Sequence, residues 1–171
     1  MRVTTLMQSL ILVAAAGMTA GAGAATTLSK GDQSIVTGMA QANMAEVAAG
    51  KMALEKSQNA DVKKFAQTMI DDHTKALNDV TELAKTKEVT LPSEPDAAHK
   101  AMAARLSKLS GDAFDKAYMK EAGVSDHTKV HAKLQKDQTA AKDPDVKALA
   151  AKMLPTVDAH LQTAKAAPIA K

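Results

Sequence analysis

The sequence predicts an all-α protein that folds as a four-helix bundle. Apolar residues recur every three or four positions through long stretches, which is the period of a helix with one buried face. Capping residues and prolines divide these stretches into segments of helical length. The chain contains no cysteine, so its stability must come from helix packing rather than from disulfides.

Residues 1–24 are predicted to be a cleaved signal peptide. Arg2 supplies a short positive region, Leu6 to Met18 is mostly apolar, and small residues suited to signal-peptidase cleavage follow. The apolar run is too short for a membrane span, so we expect a periplasmic or secreted mature chain without a transmembrane segment. Residues 25–31 are then a linker, residues 32–165 the bundle, and residues 166–171 a frayed tail.

Charge and composition argue against a nucleic-acid partner. The net charge is +3, and removal of Arg2 with the signal lowers it by one, to +2. Lysines are scattered among acidic residues, and aromatic residues make up only 2% of the chain. Nucleic-acid surfaces need clustered positive charge and often stacking aromatic rings. No motif in the sequence indicates a particular protein partner. The sequence is compatible with a homo-oligomer as well as with a monomer.

The first two predicted helices form an antiparallel hairpin. Ser29 and Asp32 are spaced like a capping box, and no proline interrupts the chain from there to Lys56. Asn59 caps the second helix, whose apolar stripe runs through the segment 61–84. Because the connection is short, the two helices should lie side by side in opposite directions.

Residues 88–111 are predicted to cross over to the second half and to contain a short extra helix. This helix carries Met102, Leu106 and Leu109 on one face. A bundle with one long crossover has the ferritin-like arrangement. An up-down-up-down bundle with a decorated loop fits the same segment lengths, so the sequence leaves both topologies open.

The second half is predicted to contain two further long helices. The third runs from Ala113 to Ala140, and Asp143 caps the fourth, which Pro155 should kink. The tetrapeptide at residues 72–75 recurs letter for letter at residues 126–129. This repetition suggests two related helical hairpins.

Four polar residues of the long helices are predicted to lie at one depth of the bundle. Counting at the helical rise of about 1.5 Å per residue places Glu46, His73, His127 and His160 in one layer. A carboxylate and three imidazoles can ligate zinc, copper, iron or nickel, and bundle proteins build metal sites in such layers. The alternative is that the histidines only pack, each bonded to a nearby carboxylate or carbonyl.

Asp72, Asp126 and His131 are predicted to support this site rather than to ligate the metal directly. Adjacent side chains diverge on a helix, so the two aspartates are suited to orienting ligands. His131 follows His127 by four residues. The two rings therefore either form a chelating pair on one helix face, or the His131 ring faces solvent. The methionines invite a copper(I) interpretation, but their helical spacing favours ordinary core packing.

The order of these motifs resembles a known bacterial family. The segments that carry the resemblance are the helix with Glu46, residues 62–73, residues 114–118 with His127, and the pairs 154–155 and 160–161. They resemble the domain-of-unknown-function 4142 family over residues 32–165. The resemblance implies a ferritin-like fold and export, and it implies no settled biochemical role.

The histidine positions depart from those of di-iron ferritins. Those proteins use Glu-x-x-His on two helices. Here Ile70, Val124 and Val157 stand three residues before His73, His127 and His160. Iron storage is therefore not expected. The sequence predicts an exported, non-enzymatic bundle that binds a metal and acts in envelope or stress physiology. A metal-dependent redox enzyme and a purely structural or interaction bundle are the alternatives.

Overall fold

The computed structural model describes residues 27–170, and this part of the chain is an all-α bundle, as predicted. The predicted signal peptide lies outside the described residues. The elements are α1 (Lys30–Lys56), α2 (Ala60–Thr86), α3 (Ala97–Ser107), α4 (Gly111–Tyr118), a π-helix (Met119–Asp126), α5 (His127–Ala140), α6 (Pro144–Ala166) and a final 3₁₀ turn (Pro168–Ala170).

Side-chain caps fix the starts of the long helices where the sequence predicted them. The hydroxyl of Ser29 accepts the N–H of Asp32 at 3.1 Å, so α1 begins two residues earlier than the predicted bundle boundary. The side chains of Asn59 and Asp143 each accept a backbone N–H two residues ahead, both at 2.9 Å. Each such cap stabilises its helix by about 1 kcal/mol because it satisfies a backbone donor that has no partner inside the helix.

One end of the bundle brings together the start of α1, the end of α2 and the start of α6. The Asp32 carboxylate accepts the backbone N–H groups of Lys142 and Asp143 at 2.9 and 3.2 Å. Lys87, just after α2, forms an ion pair with Asp143 at 2.8 Å. These contacts join residues more than fifty positions apart and fix the relative direction of the helices.

The opposite end brings together the end of α1 and the start of α4. The ammonium group of Lys56 donates to the carbonyls of Ser107 and Leu109, each at 2.8 Å. The segment 87–110 therefore runs the length of the bundle, and α2 is parallel to the α4–α5 segment. This settles the topology in favour of one long crossover containing a short helix. The ferritin-like assignment itself stays a prediction.

The prediction of one uninterrupted helix from Ala113 to Ala140 was wrong in its middle. A π-helix separates α4 from α5, and each wider turn holds an extra residue. Gly123 lies in this segment, where a Cβ atom would come within 3.0 Å of the Cβ of Ala164 on α6. The cause is tertiary packing, which local propensity does not reveal.

Helix α6 continues through Pro155, so the proline does not end the helix. The segment that was predicted to be a frayed tail contains the 3₁₀ turn Pro168–Ala170.

Two apolar clusters fill the bundle, one toward each end. The first contains Val36, Val80, Leu134 and Val146, and the second contains Val62, Phe65, Phe114 and Tyr118. Six buried polar residues fall between the segments of the long helices that supply these clusters: Asn43, Glu46, His73, Asp126, His127 and His160. The bundle thus carries a polar layer near its middle. No helix in the described part of the chain is long and apolar enough to cross a membrane.

Candidate metal centre

Three buried imidazoles from three helices meet in the polar layer. His73 lies on α2, His127 is the first residue of α5, and His160 lies on α6; their exposed fractions are 5%, 1% and 4%. Their ring centroids are 5.2–5.5 Å apart. One ring nitrogen from each lies within 4.8 Å of the other two. We call His73, His127 and His160 the histidine triad.

The spacing of the two nearest nitrogens matches that of two ligands on one metal ion. The Nε2 atoms of His73 and His127 are 3.4 Å apart. Two metal–nitrogen bonds of about 2.0–2.1 Å at a tetrahedral angle place the nitrogens about 3.3 Å apart. This pair therefore needs almost no movement to ligate a common ion.

The proton on His73 is fixed by a buried amide. Nδ2 of Asn43 donates to the carbonyl of Met39 at 2.7 Å, which turns Oδ1 of Asn43 toward His73. That oxygen lies 2.9 Å from Nδ1 of His73 and can only accept. Nδ1 therefore carries the proton, and Nε2 presents its lone pair to the triad.

The proton on His127 is fixed by a carbonyl of the π-helix. Nδ1 of His127 donates to the carbonyl of Ala122, five residues earlier, at 2.8 Å. The backbone N–H of His127 bonds instead to the carbonyl of Val124. The change from π-helix to α-helix at this residue thus gives the ring its own backbone acceptor and leaves Nε2 as the free nitrogen.

The proton on His160 is fixed by Asp72. The carboxylate of Asp72 lies 2.9 Å from Nε2 of His160, and an ionised carboxylate only accepts. Nδ1 of His160 is buried and has no hydrogen-bond partner among the described residues. Each triad ring thus directs one N–H to an acceptor and keeps one free nitrogen, which is the arrangement of metal-ligating histidines.

Burial favours the neutral, metal-binding form of His73 and His127 by lowering the pKa of each ring. Burial lowers the pKa of His73 well below its usual value, and the nearby His127 and His160 lower it further. Burial also lowers the pKa of His127, although its bond to the Ala122 carbonyl acts in the opposite direction. A neutral imidazole has a lone pair to donate, so the site is prepared for a cation at neutral pH.

Glu46 lies in the same layer but contacts the triad from another side. Its Oε1 is 3.6 Å from Nδ1 of His127, the nitrogen that points away from His73. Both carboxyl oxygens are buried and lack a hydrogen-bond partner among the described residues. Burial, followed by the charge of Asp126, raises the pKa of Glu46 well above its usual value. The structure therefore places Glu46 beside His127 and outside the group of converging nitrogens.

The three predicted supporting residues occupy different places. Asp72 contacts the triad, through His160 on another helix. Asp126 instead lies 3.3 Å from Nε2 of His99 and neighbours Glu46. His131 is 3.8 Å from Asp158 on a partly exposed surface and does not belong to the triad.

Sequence reasoning missed two groups that orient the triad. Asn43 is a buried amide on the face that also carries Met39 and Glu46, and a polar residue in an apolar stripe was the available signal. The Ala122 carbonyl could not have been found, because its role depends on the π-helix. His99, which lies outside the triad, links Asp96 and Asp126 at 2.8 and 3.3 Å.

The fold and these residues define a helical bundle with a buried cluster of three histidines. The chain belongs to the family described as "Domain of unknown function (DUF4142)", which matches residues 17–167. This agrees with the family that the motif order resembles. No curated protein matches the chain at a significant level.

Solved structures of other helical bundles are similar in fold. A DUF305 fragment from Deinococcus radiodurans has a TM-score of 0.72 and 16% identity, covering 82% of this chain and 96% of the fragment. CopM in its Cu(II)-bound form has a TM-score of 0.64 and 18% identity, covering 78% of this chain and 93% of CopM. CopM in its Cu(I)-bound form gives the same TM-score and identity.

Proposed function

We propose that this chain is an exported metal-binding protein that holds one copper ion at the histidine triad. The observation that carries the proposal is the cluster of three buried imidazoles, in which one ring nitrogen of each lies within 4.8 Å of the other two. Each of these rings is oriented by a separate acceptor, from Asn43, Ala122 and Asp72. A packing role alone would not require the unprotonated Nε2 atoms of His73 and His127 to lie 3.4 Å apart.

The donor set favours copper over harder ions. Imidazole suits copper, zinc, iron and nickel, and copper has the highest affinity among the divalent first-row metals. None of the three ligands carries a negative charge, so the ligands themselves would not offset the two charges of a divalent ion in the core. A monovalent copper ion would bring one and would cost less to desolvate. The similar fold of CopM, which has been solved in Cu(I)- and Cu(II)-bound forms, supports the same choice.

The proposed cellular role rests on the predicted signal peptide and on the burial of the histidine triad. A protein exported to the periplasm that encloses copper would keep the ion from reacting with other envelope components. We therefore propose a role in copper handling or stress protection in the envelope, without catalysis. The three-ligand set leaves a coordination position for an additional donor, so a redox enzyme is the second candidate.

The decisive experiment is metal analysis of the mature protein, purified untagged from the periplasm and measured by plasma mass spectrometry. We expect about one copper per chain after incubation with copper, and a loss of that copper in the His73→Ala, His127→Ala variant. The matched control is His99→Ala, His131→Ala, which removes two imidazoles outside the triad and should retain the metal.

Three outcomes would contradict the proposal. Wild-type protein that stays metal-free after incubation with copper, zinc and iron would leave a structural or interaction bundle. Equal copper in the triad variant and the wild type would place the metal elsewhere. A protein that binds one zinc per chain and takes up no copper would still have a metal site at the triad, but its ion would be zinc.

A further inference from the structure

A cavity of about 400 Å³ reaches the histidine triad from the side of His160. The cavity lies between α2, α6 and the final turn. Its floor consists of buried residues and its rim of exposed ones, so it opens to solvent. The floor residues are Val62, Phe65, Met69, Met119 and His160.

Three of the five floor residues carry metal-donor atoms of the soft or borderline kind. Met69 and Met119 are 0% and 2% exposed, and each has a thioether sulfur. His160 supplies an imidazole and belongs to the triad as well. No carboxylate is among the buried floor residues. Thioethers select Cu(I) over zinc and over hard cations, so this floor is chemically suited to one ion in particular.

Met69 and Met119 belong to the second apolar cluster, and unlike Met39 and Met102 they also line the cavity that contains His160. Met39 is enclosed in the first apolar cluster, and Met102 lies at a different cavity, near Arg105. Those residues fill space in a core lined with small side chains, as methionine commonly does. Met69 on α2 and Met119 on the π-helix come from different elements of the fold, and both line the cavity that His160 also lines.

A second cavity near the triad is less suited to a soft cation. It has a volume of about 110 Å³ and is lined by His73 and Met153 together with charged groups. Lys152 and Asp79 form an ion pair at 2.8 Å beside it. It is smaller and offers one thioether, whereas the larger cavity offers two; both cavities have a lysine and an aspartate among their lining residues.

We propose that the larger cavity is the uptake site for Cu(I), where Met69, Met119 and His160 hold the ion before it passes to the triad. This inference rests on the proposed function and adds the oxidation state of the ion and its route. The ion keeps its oxidation state throughout, and only its ligands are exchanged. His160 is the shared ligand, since it lies in both the cavity floor and the triad.

The test compares two double variants in which methionine is replaced by leucine. Met69→Leu, Met119→Leu removes the cavity sulfurs, and Met39→Leu, Met102→Leu removes two buried sulfurs elsewhere. Replacing methionine by leucine conserves volume and usually costs less than about 1.5 kcal/mol, so both variants should fold. Cu(I) is supplied anaerobically as its coloured bicinchoninate complex, and uptake is followed by the loss of colour. Zinc uptake is measured in the same way with a coloured zinc chelator.

We expect Cu(I) uptake by the cavity variant to slow at least tenfold, while its zinc uptake stays at the wild-type rate. The control variant should match wild type for both ions. X-ray absorption gives a second readout on wild-type protein that is frozen early in Cu(I) uptake. A sulfur shell should be present there and should be absent from the Met69→Leu, Met119→Leu variant.

Equal Cu(I) uptake by the two double variants, or no sulfur shell, would overturn the inference while leaving the triad as the copper site. Equal slowing of copper and zinc would also overturn it, because the effect would then be structural. Wild-type protein that takes up no Cu(I) would refute the proposed function itself. The two failures are therefore distinguishable.

Discussion

Replacing Asp72 by asparagine should weaken metal binding without unfolding the protein. The carboxylate of Asp72 accepts from Nε2–H of His160 at 2.9 Å. This bond keeps the proton off Nδ1, the buried ring nitrogen that has no other partner among the described residues. Asparagine has the same shape but no charge, so the bond weakens and the imidazole becomes a poorer donor.

The expected magnitude follows from the place of Asp72 at the edge of the site. Changes to groups that orient metal ligands typically lower affinity 10- to 100-fold, which is about 1.4–2.7 kcal/mol. The side chain of Asp72 is 44% exposed, and exposed ion pairs contribute at most about 1 kcal/mol to folding. The metal-free variant should therefore melt close to wild type, whereas the metal-loaded variant should melt about 3–10 °C lower than loaded wild type.

The neighbouring Asp71 supplies a matched control for this change. It is exposed and accepts from Nε2 of Gln67 at 2.8 Å. Asp71→Asn removes the same charge from the same helix without touching the triad. Chelator competition gives the dissociation constant, and differential scanning calorimetry gives both melting temperatures. Equal dissociation constants for the Asp71 and Asp72 variants would refute the reasoning, and so would a metal-free melting temperature that falls as far as the loaded one.

Three further predictions concern the stability of the metal-free protein. Denaturant titrations in EDTA should show stability falling below pH 6.5, because burial lowers the pKa of two triad rings while the unfolded chain takes up protons. The slope is about 1.4 kcal/mol per pH unit per proton. The raised pKa of Glu46 stabilises the fold as pH falls, so Glu46→Gln should steepen the loss; a flat profile would show that the rings are not buried neutral. Gly50→Ala should destabilise by about 1–3 kcal/mol in thermal melts, because its Cβ would lie 3.0 Å from the Ala66 carbonyl oxygen. Gly38→Ala meets only the flexible end of Lys133 and should stabilise the protein by up to about 1 kcal/mol; the opposite order would contradict the packing argument. Asp32→Ala leaves two backbone N–H groups without their acceptor and should cost about 1–3 kcal/mol, so a denaturation midpoint equal to wild type would contradict this.

Much of the fold could be predicted because the relevant signals are local. Ser29, Asn59 and Asp143 mark helix starts through bonds to residues two or three positions away. The three triad histidines could also be predicted to share one depth, since a fixed rise per residue converts sequence position into distance. That argument needs only helices of known length joined by short turns.

The site itself could be predicted only in part, because its details depend on long-range packing. Depth counting placed Glu46 in the same layer, but it could not show which side of His127 the carboxyl would approach. It also gave Asp72 a supporting role without naming its partner, which is His160 on another helix. The spacing of His127 and His131 allowed a chelating pair, whereas the packing of α5 places only His127 in the triad.

The sequence alone determined the helical class, the helix caps and the depth of the histidines, because these follow from periodicity and from bonds between near neighbours. The tertiary structure decided the long crossover, the π-helix before His127, the acceptor of each imidazole and the methionine-lined cavity. These features depend on contacts between residues far apart in the chain, such as Asp32 with Lys142 and Gly123 with Ala164. Only the packed helices bring such residues together, and no local pattern encodes their distance.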